Sequence, residues 1–164
     1  MPLIVLPGQI PSTRIELQTR LGNDIANWRP AYLSQFMLNQ IADLPARYDK
    51  MISRHKEPVP AYNCHGFTFA SRRTWIDDPS ELKQIMDDDR YIEINESEVL
   101  PGDVIIYYDE KNVPEHSGLV IREPAKSKLK VALICSKWGG FGEVVHEAHY
   151  GPYCKGASRF FRVI

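Results

Sequence analysis

After residue 90 the chain changes character, and that change decides its fold class. Six short runs, at residues 91–94, 104–108, 117–121, 131–138, 143–148 and 159–164, are rich in β-branched or aromatic side chains. Turn signals separate them: Pro101-Gly102, Asp109-Glu110-Lys111-Asn112, Glu123-Pro124, Gly139-Gly140 and Gly151-Pro152. Before residue 90 the apolar spacing is helical. Leu33, Phe36, Met37, Ile41 and Leu44 recur at that period, and Pro45 is expected to stop or bend the helix. Pro79 at a first turn predicts another helix, to about Asp88. Residues 12–21 admit two readings: Thr13 with Glu16 fits a capping box, whereas Ile15, Leu17, Thr19 and Leu21 alternate as a strand would. Helices followed by short strands predict an α+β fold, N-terminal helices packed on a C-terminal antiparallel sheet. We expect one domain over residues 1–164, with 1–57 a helical N-terminal extension and 58–164 the core.

Composition narrows the function classes. Twenty Lys and Arg against 21 Asp and Glu give a net charge of -1, without the positive excess expected of a nucleic-acid binder. No apolar run approaches the roughly 20 residues of a membrane span. The opening Met1-Pro2-Leu3-Ile4-Val5-Leu6-Pro7 lacks a positive n-region and is broken by Pro7, so no secretory signal is expected. Cys64, Cys135 and Cys154 are an odd number, which favours a reducing compartment. The expected setting is the cytoplasm of the producing cell, or export by a signal-less route.

Pro58 and Pro60 predict an extended approach to Tyr62-Asn63-Cys64-His65-Gly66-Phe67. Asn63 is a good N-cap, which places Cys64 in the first turn of a helix to about Trp75. A helix N-terminus lowers a thiol pKa, and a nearby imidazolium lowers it further. The amide of Cys64 is a candidate oxyanion donor, and Gly66 would let a substrate backbone approach the sulfur. A lone Cys is more often a small buried hydrophobe; a second half-site changes that balance. Pro114-Glu115-His116-Ser117-Gly118 places a histidine at the mouth of a strand, where the Cys64 helix would abut it. Gly118 would leave room for that helix.

Three pieces in order, Asn63-Cys64-His65-Gly66-Phe67, then Leu100-Pro101-Gly102-Asp103-Val104, then His116-Ser117-Gly118-Leu119-Val120, resemble the NlpC and CHAP families of papain-like cysteine hydrolases. The resemblance spans residues 60 to 140. It implies a papain-like fold and cleavage of peptide-like amides: Cys64 would attack the carbonyl carbon, and His116 would take the thiol proton and return it to the leaving amine. A third polar group would orient the imidazole, from the strand after the histidine strand. Ser136 is best placed by hairpin logic, with His146 and Glu143 as rivals. Asn63 stands where these families commonly have aspartate or alanine, and His65 where they have serine.

Around this core, Tyr62, Asn63, His65, Gly66 and Trp138 are candidate substrate or oxyanion residues. Trp138 and Phe141 flank a glycine-rich turn, and would either line a groove or close the core. Cys135, His146, His149 and Cys154 would be the ligands of a zinc site, but no Cys-x-x-Cys pair exists and a strand sends residues three apart to opposite faces, so no metal or other cofactor is expected. Asp87-Asp88-Asp89 reads as a solvated turn ending a helix. Expected partners are a peptide or peptidoglycan-like substrate and, for an effector delivered into another cell, an inhibitor or immunity protein. Acyl transfer or deamidation by the same Cys–His pair, and an inactive interaction module, are the alternatives. Preferential labelling of Cys64 by iodoacetamide at neutral pH would separate the enzyme from the module.

Overall fold

The computed structural model describes residues 12–48, 50, 52–53, 58–128 and 130–164. In chain order the elements are β1 (Ser12–Thr13), β2 (Arg29–Pro30), α1 (Gln35–Arg47), β3 (Ile52–Ser53), α2 (Cys64–Phe69), α3 (Pro79–Asp88), β4 (Tyr91–Ile94), β5 (Val104–Tyr108), β6 (Pro114–Arg122), β7 (Leu133–Trp138), β8 (Gly142–Glu147) and β9 (Ser158–Val163). β1 and β2 pair with each other. The other seven strands form one sheet in the order β3-β8-β7-β6-β5-β9-β4, and every pairing is antiparallel. The fold is α+β.

Both faces of the sheet are covered, which is why its strands read as near-continuous apolar runs. On one face Ile105, Tyr107, Val120, Ile134 and Phe160 form a core with Val99, Ala132 and Ala148. Trp138 and Val144 extend that face against Leu44 of α1 and Tyr48. On the other face Val104 and Ile106 meet Leu82 of α3, while Cys135 and Leu119 meet Tyr62 and Phe67 around α2. Leu82 is almost fully buried, worth about 1.5–3 kcal/mol on its own. We call these the α1 face and the α2 face.

Several expectations are corrected. Residues 12–21 form neither a helix nor a full strand: after the two-residue β1 the chain is irregular, crossed by a bridge between Gln18 and Asp24. That segment is held by Asp88, which accepts hydrogen bonds from Thr19 Oγ1 (2.6 Å), Asn23 Nδ2 (2.8 Å) and Gln84 Nε2 (2.8 Å). Asp88 is therefore a buried clasp and not a solvated turn residue, and these bonds lower its pKa. Pro45 does not end α1, which runs on to Arg47. The extension is not purely helical, since it contributes β3 to the main sheet.

The helix at Cys64 ends at Phe69, well short of Trp75. Ser71 and Arg72 take positive φ (49° and 65°) and reverse the chain. Thr74 Oγ1 then donates to Asn27 Oδ1 (2.9 Å) and the Trp28 carbonyl (3.0 Å), and Trp75 bridges to Trp28. These tertiary bonds take residues that helical spacing would have kept in α2.

Candidate active site at the opening between β6 and β7

Asn63 builds the first turn of α2. Its Oδ1 accepts from the amides of Gly66 (2.8 Å) and Ile76 (3.2 Å), and its Nδ2 donates to the Ile76 carbonyl (2.8 Å) and Asp77 Oδ1 (3.0 Å). It caps the helix and ties it to the following segment, so its polar atoms are taken and none faces a substrate. Gly66 has a packing role, not the expected role of admitting substrate: a Cβ there would fall 1.6 Å from the Thr74 carbonyl oxygen. Gly118 makes room for β7, since its Cβ would lie 2.7–2.9 Å from Ile134, Cys135 and Ser136, and not for α2 as expected.

α2 packs on β6 and β7. The paired register of these strands ends at Gly118↔Ser136, although β6 continues back to Pro114 and β7 forward to Trp138. The β6–β7 pairing therefore ends beside the start of α2, where Ser117 and Lys137 are nonetheless buried. The amides of Ser117, His65 and Cys64 itself reach the Cys64 sulfur there. Burial nevertheless dominates and pushes the thiol up to about 11, against the pull of those amides. This overturns the expectation of a thiol made acidic by the helix: α2 has only six residues, and its first turn is enclosed. Burial likewise pushes the Cys154 thiol up to about 11, although Cys154 is less buried than Cys64.

His116 sits one residue before the amide that meets the sulfur. The pleat turns its ring to the α1 face beside its register partner Tyr107, while Ser117 turns to α2. The ring is 1% exposed and stacks on Tyr153, with centroids 3.8 Å apart and planes at 10°. Among the described residues neither ring nitrogen has a hydrogen-bond partner, the Cys64 thiol included. Burial, with His146 and His65 nearby, lowers its pKa well below the usual imidazole range, so the ring is neutral at pH 7. An unsatisfied buried polar atom costs about 1–3 kcal/mol, so the bare nitrogens of this ring are an energetic cost among the described residues.

None of the three candidate orienting residues bonds His116. Ser136 and His146 bond each other at 2.8 Å, Trp138 Nε1 donates to Ser136 Oγ (3.1 Å), and His146 Nδ1 donates to the Glu147 carbonyl (2.8 Å). The Glu147 oxygen only accepts, so His146 carries its proton on Nδ1 and receives the Ser136 hydroxyl at Nε2. Burial lowers the His146 pKa to about 4. Trp138 is 0% exposed and packs against Tyr48 and His146, so it closes the core and lines no groove.

Glu143 lies on the α2 face. It is fully buried, accepts from Tyr62 Oη (2.7 Å), and forms a two-armed pair with Arg72. Tyr62 is thereby engaged and not an oxyanion donor. His65 faces Ser117 Oγ at 2.8 Å, Ser117 donates to Thr68 Oγ1 (2.9 Å), and Thr68 donates to the Cys64 carbonyl (2.9 Å). This chain fastens α2 to β6, and burial lowers the His65 pKa to about 4. The zinc ligands considered above are dispersed. His149 pairs with Glu96, Cys135 and His146 occupy opposite faces, and no group of three His, Cys, Asp or Glu among the described residues is arranged to hold a metal.

Residues that sequence reasoning did not single out also shape the opening. Tyr153 covers His116, Ser117 supplies the amide at the sulfur, and Lys137 is a buried cation. Lys137 had a visible signal: a charged residue inside the mostly apolar run Leu133–Trp138. Comparison with family models, curated proteins and solved structures finds no match.

Proposed function

We propose that the chain is a cysteine hydrolase of peptide-like amides, with Cys64 as nucleophile and His116 as base. The observation that carries the reading is the bare His116 ring: a fully buried, neutral imidazole with both nitrogens unclaimed, next in sequence to the amide that touches a thiol at a helix start. In the reaction the thiol proton passes to a ring nitrogen and sulfur attacks the carbonyl carbon. The imidazolium then protonates the leaving amine, and water cleaves the thioester. The amides beside the sulfur would be the candidate oxyanion donors. The motif resemblance to NlpC and CHAP hydrolases supports peptidoglycan-type peptides as the first substrates to try, and a papain-like arrangement of the fold.

The test is incubation of the chain with muropeptides and with peptide amides, followed by product masses. Cys64→Ala is expected to lose cleavage by at least about 1,000-fold, and His116→Gln by about 100-fold or more. Masses would also separate hydrolysis from acyl transfer and deamidation. Cleavage retained by Cys64→Ala would overturn the reading. A second reading, an interaction module without chemistry, is favoured by the thiol pushed up to about 11. It gains if no substrate is turned over and Cys64→Ala keeps every binding property.

A further inference from the structure

Lys137 has no exposed surface, and its place in the strand explains why. In β7 its side chain shares the α2 face with Cys135, and its register partner in β8 is Glu143. One step past the last β6–β7 pair, the position facing Lys137 is Ser117, whose hydroxyl donates to the Cys64 carbonyl (3.3 Å). The ammonium donates to the Gly139 carbonyl and lies 5.2 Å from the centre of the Tyr62 ring, two residues before the nucleophile. Glu143 binds Arg72 and Tyr62, and among the described residues no carboxylate forms an ion pair with Lys137. A buried ammonium held by one carbonyl and one ring is expensive to keep, which calls for a role.

We propose that Lys137 is the electrostatic partner of Cys64: its ammonium holds the thiolate once the thiol proton has passed to His116. The lysine keeps its own protons throughout. The proposal rests on Cys64 being the nucleophile, but its test does not need turnover. The titratable groups around the pair are Tyr62, Cys64 and His65 from α2 and its approach, Arg72 and Asp77 beyond it, Cys135 from β7, Glu143 from β8, and Tyr153. Burial lowers the Lys137 pKa to about 8, while Cys64 and Glu143 oppose that shift. Below about pH 8 the sulfur therefore faces a cation, and above it a neutral amine.

The experiment is site-resolved alkylation by iodoacetamide, read by mass spectrometry on the full chain from about pH 6.5 to 10. The wild-type Cys64 rate is expected to rise tenfold per pH unit, pause for about one unit just above pH 8 as the lysine loses its charge, and rise again. Lys137→Met is expected to lose the pause and to react about tenfold more slowly below pH 8, converging with wild type above it. Lys137→Arg keeps its charge over this range and is expected to rise without a pause. Cys154 in the same samples should be unaffected by either change. A wild-type profile without the pause, or complete protection of Cys64 over the range, overturns the proposal without any variant having to fold. A Lys137→Met rate equal to wild type below pH 8 overturns it too. Loss of cleavage in Cys64→Ala with no pause in alkylation would leave the nucleophile standing and remove the lysine alone.

Discussion

The two faces of the sheet treat buried polarity in opposite ways. On the α2 face, beside Cys64, it is ionic: Lys137, Glu143 and the inward arm of Arg72 are gathered around Tyr62. On the α1 face it is neutral and aromatic: His116 under Tyr153, and His146 with Ser136 and Trp138. β6 and β7 separate these environments up to the end of their pairing. In the proposed reaction, a thiol that loses a proton and a ring that accepts one need different surroundings. A low-dielectric aromatic pocket keeps the imidazole neutral, whereas stabilising a thiolate takes a cation.

The largest expected effect tests the neutrality of the imidazoles. His65 and His146 have folded pKa values of about 4, below the unfolded value of about 6.5. Their contribution is therefore fully present above about pH 6.5 and lost as the pH falls towards 4, by about 3 kcal/mol for each ring. Denaturant unfolding at stepped pH should show this steep acid limb, and His146→Gln should flatten it. A flat limb in the unmodified chain would mean that the imidazoles are not buried neutral.

The next effects address the ionic face. Glu143→Ala leaves the half-exposed Arg72 and the Tyr62 hydroxyl without their partner and Lys137 without the nearby negative charge, and is expected to lose about 2–3 kcal/mol. Lys137→Met should do the reverse, gaining about 1–3 kcal/mol at pH 7 by removing a buried ammonium. Thermal melts of both variants check the pair of signs. The smallest effect is Tyr153→Leu, which removes the stack on His116 and should cost about 0.5–1.5 kcal/mol. A loss as large as that of Glu143→Ala would show that the aromatic face carries more of the fold than this contrast assigns to it.

Local signals made much of the fold legible in the sequence. Pro79 marks the first turn of α3, and the apolar run Val104 to Tyr108 reads as a strand. Asn63 identified the cap that places Cys64. What stayed hidden depends on distant partners. Nothing near Phe69 announces that Thr74 will bond Asn27 and Trp28 and so shorten α2. Strand alternation places His116 and Ser117 on opposite faces, but only the register with Tyr107 says which face each takes. The thiol's acidity was misjudged for a related reason: a cap is a local property, whereas burial is set by Leu119, Cys135 and the rest of the packed layer.

The contact between Gly66 and Thr74 has a consequence for the design of variants. With the would-be methyl only 1.6 Å from a carbonyl oxygen, every larger residue at position 66 has to lift the short helix off its neighbour. The sulfur two residues earlier would travel with it. Substitution there thus provides a way to displace the proposed nucleophile while leaving its chemistry unchanged, a mechanical control against which purely chemical changes at Cys64 can be compared.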